Sequence, residues 1–282
     1  MPLGAHMSIA GGVDKAVLRG ASIGCETIQI FTKNTNQWRA KPLGPEEIAR
    51  FQEARARTGI EPIFAHTSYL INLGSPQEEL WEKSLASLLL EMERCAALGL
   101  PYLVMHPGAH LGAGEEAGLD RITRGLNEIL ARTEESGVMV LLEVTAGQGS
   151  NLGWRFEHLA RLLEDSFYPE RLGVCFDTCH AFAAGYDLRT PEAYAKTFDE
   201  FEKIIGIRQL KAVHLNDSRG ELGSRLDRHE HIGLGRIGLE AFRLLLNDPR
   251  LRSLPMVLET PKGPDMKEDV QNLATLRSLL QE

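Results

Sequence analysis

Short apolar runs recur along the chain, and six of them stop at a histidine, an aspartate or a glutamate. The runs are rich in aliphatic side chains and lack the alternation of a half-exposed strand, which is typical of strands buried on both faces of a parallel sheet. Six such endings in succession indicate a shared chemical role for the strand ends. In chain order the terminal residues are His66, His106, Glu143, Asp177, His214 and Glu259.

Helical patterns separate these runs. In the stretch 80–99 the apolar positions Leu85, Leu88 and Met92 recur at steps of three and four, so one face of this helix is apolar. It runs into a glycine, a frequent helix stop. The other helical stretches are 119–137, which also ends at a glycine, and 191–206. Two more strand-like segments, 4–9 and 26–32, come before the first ligand-ending run, which makes eight strand–helix units.

The spacing of the units favours one architecture. Successive strand-end residues from His66 to Glu259 are 34 to 45 residues apart, enough for a strand, a helix and two turns. Eight such units predict a single TIM barrel, with residues 1–282 as one catalytic domain. In that fold the carboxyl ends of all strands meet at one mouth, where active sites lie. The sequence therefore predicts that the strand-end residues share one site.

Composition limits the remaining classes. The 282 residues contain no linker-like or low-complexity tract, and the first residues lack the basic and apolar regions of a signal peptide. No stretch approaches the 18 apolar residues that a membrane span needs. The four cysteines form no CxxC pair and are too few for a disulfide framework, and Cys175 and Cys179 are expected to fill the core. A cytoplasmic enzyme without a membrane segment is predicted.

Three further residues enlarge the set of metal-competent side chains to nine. They are His180, Asp227 and His229, the last two in a Gly- and Arg-rich stretch between the final two runs. Histidine and carboxylate ligands without a thiolate favour zinc, with manganese or iron as alternatives, over magnesium. Nine ligands exceed the needs of one ion, and with one bridging carboxylate they divide into three sites. Clustered divalent ions suit phosphodiester cleavage.

The net charge of −8 argues against a nucleic-acid substrate, since such proteins are usually basic. Four of the negative charges, however, belong to proposed ligands: Glu143, Asp177, Asp227 and Glu259. Three divalent ions would bring six positive charges to these four, which would make the mouth locally cationic. The acidic balance therefore leaves a DNA substrate open.

Several segments resemble the endonuclease IV family, the zinc-dependent apurinic/apyrimidinic endonucleases, over essentially the whole chain. The most specific are DTCHAFAAGYD (177–187) and HLND (214–217) followed by GSRLDRH (223–229); GAHMSIAGG, HTSYLINLG and HPGAHLG add to them. The resemblance implies a monomeric DNA-repair enzyme with three zinc ions. Its substrate would be double-stranded DNA with abasic sites or blocked 3′ ends. Cleavage 5′ to the abasic site would leave a 3′-hydroxyl and a 5′-deoxyribose phosphate.

The resemblance also assigns residues to roles. One zinc would be held by His66, His106 and Glu143; a second by Glu143, Asp177, His214 and Glu259; a third by His180, Asp227 and His229. Glu143 would bridge two ions and serve as the catalytic carboxylate. Side chains that enter the DNA minor groove would be Asn34, Asn36, Gln37, Tyr69 and Leu70, the last two filling the gap left by the missing base.

The chain departs from the family pattern at three of these places. Asn36 stands where an arginine is familiar, so no cationic groove contact is implied there. Thr67 and Val144 replace an aspartate and an asparagine beside ligands, so the hydrogen bonds around the ligands are expected to differ. Of the other histidines, His110 and His231 are expected outside the coordination. His158 is expected to be either a surface histidine or a helical one whose hydrogen bonds are satisfied. His6 is expected either to have a structural role or to contact the ligands or the substrate.

Two alternative functions stay open. A metal-dependent sugar isomerase or epimerase on the same barrel would account for Glu143, Asp177, His214 and Glu259. It would leave His66, His106 and the Asp227–His229 pair without a purpose. A non-catalytic DNA-binding module would not need nine ligands. A test on abasic DNA and on a panel of ketoses separates these alternatives.

Overall fold

Eight parallel strands close into a barrel in chain order, and the first strand pairs with the eighth. The computed structural model describes residues 1–281. The predicted single-domain TIM barrel is confirmed. The strands are β1 (Leu3–Met7), β2 (Thr27–Phe31), β3 (Ile63–His66), β4 (Tyr102–Met105), β5 (Met139–Glu143), β6 (Leu172–Asp177), β7 (Leu210–His214) and β8 (Met256–Leu258).

Helices surround the barrel; eight lie between successive strands and the ninth follows β8. They are α1 (Val13–Ser22), α2 (Pro45–Thr58), α3 (Glu78–Leu98), α4 (Glu115–Arg132), α5 (Phe156–Glu164), α6 (Thr178–Ala184), α7 (Pro191–Ile204), α8 (Leu239–Leu246) and α9 (Lys267–Ser278). The predicted helix 119–137 is shifted, because α4 begins at Glu115 and stops at Thr133, whose φ of −121° leaves the helical region. A 3₁₀ turn over Glu134–Ser136 then leads to Gly137. No helix within the described residues is long and apolar enough to cross a membrane.

The barrel interior explains the positions of the predicted metal ligands. Six buried side chains from β3 to β8 form a cluster of their own, separate from the larger core that includes the helices. Side chains two positions apart on a strand face the same way. Each member of the inner cluster is therefore followed, two residues later, by a side chain at the mouth. The cluster consists of Phe64, Val104, Leu141, Cys175, Ala212 and Val257, and the residues two positions on are His66, His106, Glu143, Asp177, His214 and Glu259.

Two short antiparallel ribbons cross the loops at the mouth. In the first, Gly108–Ala109 pairs with Asn151–Leu152, and in the second, Asp217–Ser218 pairs with His229–Glu230. The second ribbon has Ser218 opposite His229, which returns the 218–236 loop to the end of β7. Neither ribbon is evident in the hydrophobic pattern, because each strand is only two residues long.

Candidate metal centre

The nine metal-competent residues form three groups at the mouth of the barrel. Within each group one ligand atom per residue lies within 4.8 Å of every other. The groups are His66, His106 and Glu143; Glu143, Asp177, His214 and Glu259; and His180, Asp227 and His229. The structure thus brings together all nine residues that the sequence singled out.

Glu143 belongs to two groups, and its two oxygens face different ones. Its Oε2 lies 2.9 Å from His66 Nε2 and 3.2 Å from His106 Nε2. Its Oε1 lies 3.1 Å from His214 Nδ1. The side chain is fully buried, so it has no solvent to satisfy its charge. A carboxylate in this position can contribute one oxygen to each of the two groups.

The third group depends on a helix start and on a ribbon. Asp177 ends β6 and caps α6, where its Oδ1 accepts a hydrogen bond from the His180 backbone N–H at 2.8 Å. The cap fixes the first turn of α6, so His180 also faces the mouth. His180 Nε2 lies 3.2 Å from Asp227 Oδ1, and His229 Nε2 lies 3.6 Å from the same oxygen. The ribbon and the helix therefore supply this group from two sides.

Backbone carbonyls orient three of the histidines. A carbonyl oxygen can only accept, so the imidazole nitrogen beside it carries a proton, and in the neutral ring the other nitrogen keeps its lone pair. In each case Nδ1 meets the carbonyl and Nε2 faces the ligand group. The pairs are His66 with Thr67 at 2.8 Å, His180 with Val144 at 3.1 Å and His229 with Glu259 at 3.1 Å. Because the backbone carbonyl makes the contact, Thr67 and Val144 can orient these histidines even though their side chains differ from the family pattern.

Two amide side chains that the sequence analysis did not single out hold the second group. Buried Gln29 accepts from His214 Nε2 at 2.8 Å and donates to Glu259 Oε1 at 2.5 Å, so it leaves His214 Nδ1 free for a metal. Buried Asn216 donates to Asp177 Oδ2 at 2.7 Å and accepts from the Glu259 N–H at 2.8 Å. Partners of this kind set ligand geometry and tune metal affinity.

The electrostatics of the mouth suit cations. Burial disfavours the charged form of Glu143, but His106 and His214 outweigh it and hold the carboxyl pKa well below its usual range. Burial likewise opposes ionisation of Asp227, but the hydrogen bond that His180 donates when its ring is protonated lowers the pKa of Asp227 to about 2. These carboxylates are therefore ionised at neutral pH, which is the form that binds divalent ions. With imidazole nitrogens among them, the donor set fits a transition-metal ion.

Other residues near the centre are less suited to ligation. Cys179 can be grouped with Asp177 and His229 by distance, but burial raises the pKa of its thiol to about 12, which disfavours the thiolate ligand. His110 Nδ1 accepts from the Gly114 N–H at 3.1 Å. His231, His158 and His6 pair respectively with Asn272, with Gly153 and Arg155, and with Gln29 and Glu259.

The five residues assigned to DNA contact lie on two neighbouring loops at the rim. Asn34, Asn36 and Gln37 are exposed in the loop after β2. Tyr69 is 69% exposed in the loop after β3, and Leu70 beside it is half-buried. The Tyr69 ring stands edge-on to Phe31 at 5.6 Å. Tyr69 also lines a cleft whose floor includes His66 and His106 and whose wall includes two cations, Arg219 and Arg228.

Comparison with known proteins defines first the class and then the family. Residues 17–279 match the model of the xylose isomerase-like TIM barrels. A protein of Chloroflexus aurantiacus named probable endonuclease 4 is 59% identical over 99% of this chain and 98% of its own length. The crystal structure of endonuclease IV from Thermus thermophilus superposes with a TM-score of 0.87 at 41% identity, covering 99% of this chain and 98% of that one. The chain therefore belongs to the endonuclease IV family.

The same fold also occurs in proteins of other names. A D-tagatose 3-epimerase-like protein matches with a TM-score of 0.76 at 22% identity, over 99% of this chain and 97% of the other. A likeness at this identity shows the shared barrel alone. Function therefore has to be argued from the site.

Proposed function

We propose that this nuclease of the endonuclease IV family is a DNA-repair enzyme that cleaves the phosphodiester bond 5′ to an abasic site. Water adds to phosphorus and the bond to the 3′ oxygen breaks. The products are a 3′-hydroxyl on one side and a 5′-deoxyribose phosphate on the other. The same chemistry would remove blocking groups from 3′ ends. The observation that carries the proposal is the three ligand groups, two of which share Glu143, at the floor of a cleft with an exposed aromatic side chain at its rim.

The three ligand groups would hold three zinc ions per chain, with manganese or iron as substitutes at some sites. Five imidazoles and four carboxylates form the donor set, which zinc accepts readily in sites of low coordination number. When bound, such ions polarise the phosphodiester and provide a nucleophilic water at neutral pH.

The chain contributes fixed geometry to this chemistry. Glu143 links the first group to the second, because one of its oxygens lies beside His66 and the other beside His214. Gln29 and Asn216 hold the second group in place through side-chain hydrogen bonds. A floor whose ligands are already oriented loses little free energy to reorganisation when substrate arrives.

The rim would select abasic DNA. Tyr69 and Leu70 present an aromatic and an aliphatic side chain that can fill the gap in the stack and support a turned-out nucleotide. Asn34, Asn36 and Gln37 offer hydrogen-bonding groups to the minor groove. Arg219 and Arg228, both exposed at the cleft, suit contacts to phosphate oxygens. A monomer acting on duplex DNA needs no partner for these contacts.

A sugar isomerase or epimerase would explain the shared barrel and the second ligand group only. It would have no need of His66 and His106 on the other side of Glu143, nor of the His180, Asp227 and His229 group. It would also have no need of Tyr69 in an exposed position. The nuclease proposal accounts for all of these features.

The proposal is tested with zinc-loaded protein on an end-labelled duplex that carries one abasic site. We expect a single incision 5′ to that site, and extension of the product by a DNA polymerase, which requires a 3′-hydroxyl. An intact duplex of the same sequence is the control, and a ketose panel tests the isomerase alternative. Turnover of a ketose without incision, or an incised strand that cannot be extended, would contradict the proposal.

A further inference from the structure

A buried ion pair lies directly beneath the two rim loops. Lys33 follows β2 and Glu91 lies on α3; the two side chains are each only 1% exposed, and Lys33 Nζ is 3.2 Å from Glu91 Oε1. Neither residue belongs to a ligand group. Charges buried to this extent are costly unless they are paired and hydrogen-bonded. The other hydrogen bonds of Lys33 and Glu91 therefore indicate the role of the pair.

The hydrogen bonds of the pair reach both rim loops. Lys33 donates to the Gln37 carbonyl at 2.6 Å, inside the loop that carries Asn34 and Asn36, and to Ser68 Oγ at 3.2 Å. Glu91 accepts from the Ser68 backbone N–H, with both oxygens at 3.2 Å. Ser68 immediately precedes Tyr69. The ammonium group therefore uses its three donors on one loop, on the other and on the helix.

The same face of α3 holds the first loop at two more points. Arg94, three residues after Glu91, donates to the Thr32 carbonyl at 2.8 Å and to the Lys41 carbonyl at 2.6 Å. These carbonyls lie towards the two ends of the loop after β2. Residues three apart on a helix share a face, so Arg94 and Glu91 act from one surface. With the loop ends fixed, the contact from Lys33 to Gln37 sets the position of the loop tip.

We propose that Lys33, Glu91 and Ser68, here called the loop clamp, are positioning residues that fix the two rim loops relative to each other. The loop that carries Asn34, Asn36 and Gln37 would then meet the minor groove at a fixed distance from the point where Tyr69 enters the stack. The inference rests on the proposed function. It adds that recognition of the abasic site depends on coupling between the loops, and that buried residues outside the contact surface provide it.

The energetics favour positioning over simple stabilisation. A buried ion pair gives little net stability compared with uncharged residues of similar volume, whereas removal of one partner leaves a costly unpaired charge. Burial raises the pKa of the Glu91 carboxyl, and Lys33 opposes that rise. The double variant Lys33→Met/Glu91→Gln removes both charges together. Its glutamine oxygen can still accept from the Ser68 N–H, so the contacts that are lost are those of Lys33 with the Gln37 carbonyl and with Ser68 Oγ.

The test compares wild type with the double variant on the abasic duplex and on a small phosphodiester, bis(p-nitrophenyl) phosphate. We expect KM for the abasic duplex to rise at least about tenfold, the size expected when a hydrogen bond from a charged donor is lost. Zinc content, melting temperature and small-diester hydrolysis should stay close to wild type. The matched control is Lys83→Met/Glu79→Gln, which removes an exposed ion pair of 2.7 Å from the same helix and should change nothing.

A double-mutant cycle measures the coupling itself. In the wild-type background, the combined effect of Gln37→Ala and Tyr69→Ala on abasic-duplex affinity should differ at least about threefold from the product of the single effects. In the double-variant background the effects should multiply. An unchanged KM, an equal loss on both substrates, or the same coupling in both backgrounds would overturn the loop clamp. Wild-type protein that fails to incise abasic DNA would remove the proposed function first, and the loop clamp with it.

Discussion

The floor and the rim of the mouth are built in different ways. Six of the nine floor ligands end or directly follow barrel strands, so the hydrogen bonds of the whole sheet determine their positions. The rim residues stand on two loops, and four of the five are exposed. Beneath them, a few buried contacts centred on Lys33 and Glu91 join the loops. Under the proposed function, the floor would act on any phosphodiester and the rim would select the DNA lesion.

Removal of metal should have the largest effect, because under the proposed function every reaction at the floor would depend on it. Protein purified without chelator should contain three zinc ions per chain, one for each ligand group. Dialysis against a chelator should abolish cleavage of the abasic duplex and of a small diester alike, and added zinc should restore both. Elemental analysis and the two assays measure this. A firm value near one or two ions with full activity would contradict the trinuclear arrangement.

Substitution of Glu143 should come next in size. Glu143→Ala removes the link between two groups, and Glu143→Gln replaces a carboxylate by a neutral amide that bridges two cations poorly. We expect both to lower kcat by far more than tenfold, a factor that corresponds to about 1.4 kcal/mol of barrier. Binding of abasic DNA should remain measurable, since the rim is intact.

The control for Glu143 is Glu135→Gln, an exposed glutamate just before the same strand, which should behave as wild type. Single-turnover cleavage and a binding titration separate the two effects. Activity of either Glu143 variant within about tenfold of wild type would count against the bridging function.

The floor could be predicted from the sequence because two regularities coincide there. A buried strand that ends at a metal-competent residue is visible in the sequence, and parallel topology brings such ends together. The period of two then places each ligand on the inward face. The ribbon that returns His229 to the mouth was not predictable in this way, because its register depends on contacts between Asp217–Ser218 and a loop segment further along the chain.

The supporting residues were harder to find for a different reason. Gln29 did leave a signal, since it is polar at an inward position of the apolar run TIQIF. Lys33 left none. Its position in the stretch KNTNQWR predicts an exposed loop residue. In the structure it is buried against Glu91 of α3, which lies 58 residues later in the chain. Burial that depends on such a distant partner cannot be deduced from a local pattern.

Tyr69 and Leu70 test the rim directly. The double variant Tyr69→Ala/Leu70→Ala should weaken binding and cleavage of the abasic duplex on the order of tenfold or more, because unstacking costs a few kcal/mol that these side chains would partly offset. Cleavage of a small diester should fall much less, and zinc content and melting temperature should change little.

The control for this pair is Phe167→Ala, an 81% exposed aromatic in the segment that leads into β6. If small-diester hydrolysis falls in parallel with DNA cleavage, the two residues support the metal site and the distinction between floor and rim fails there.

Asn36 should give the smallest effect and the finest test of the rim. Its side chain is exposed, and its backbone N–H is held by Asn34 Oδ1 at 2.9 Å, so Asn36→Arg should leave the loop intact. If this position faces DNA, an added cation should tighten binding a few-fold at low salt. Neutralisation of one more phosphate should also steepen the dependence of log affinity on log salt by about 0.9. Asn36→Met is the uncharged control. An unchanged slope would place Asn36 off the DNA and would leave Asn34 and Gln37 as the groove contacts of this loop. The value of kcat should be the same in all three proteins because the floor is untouched.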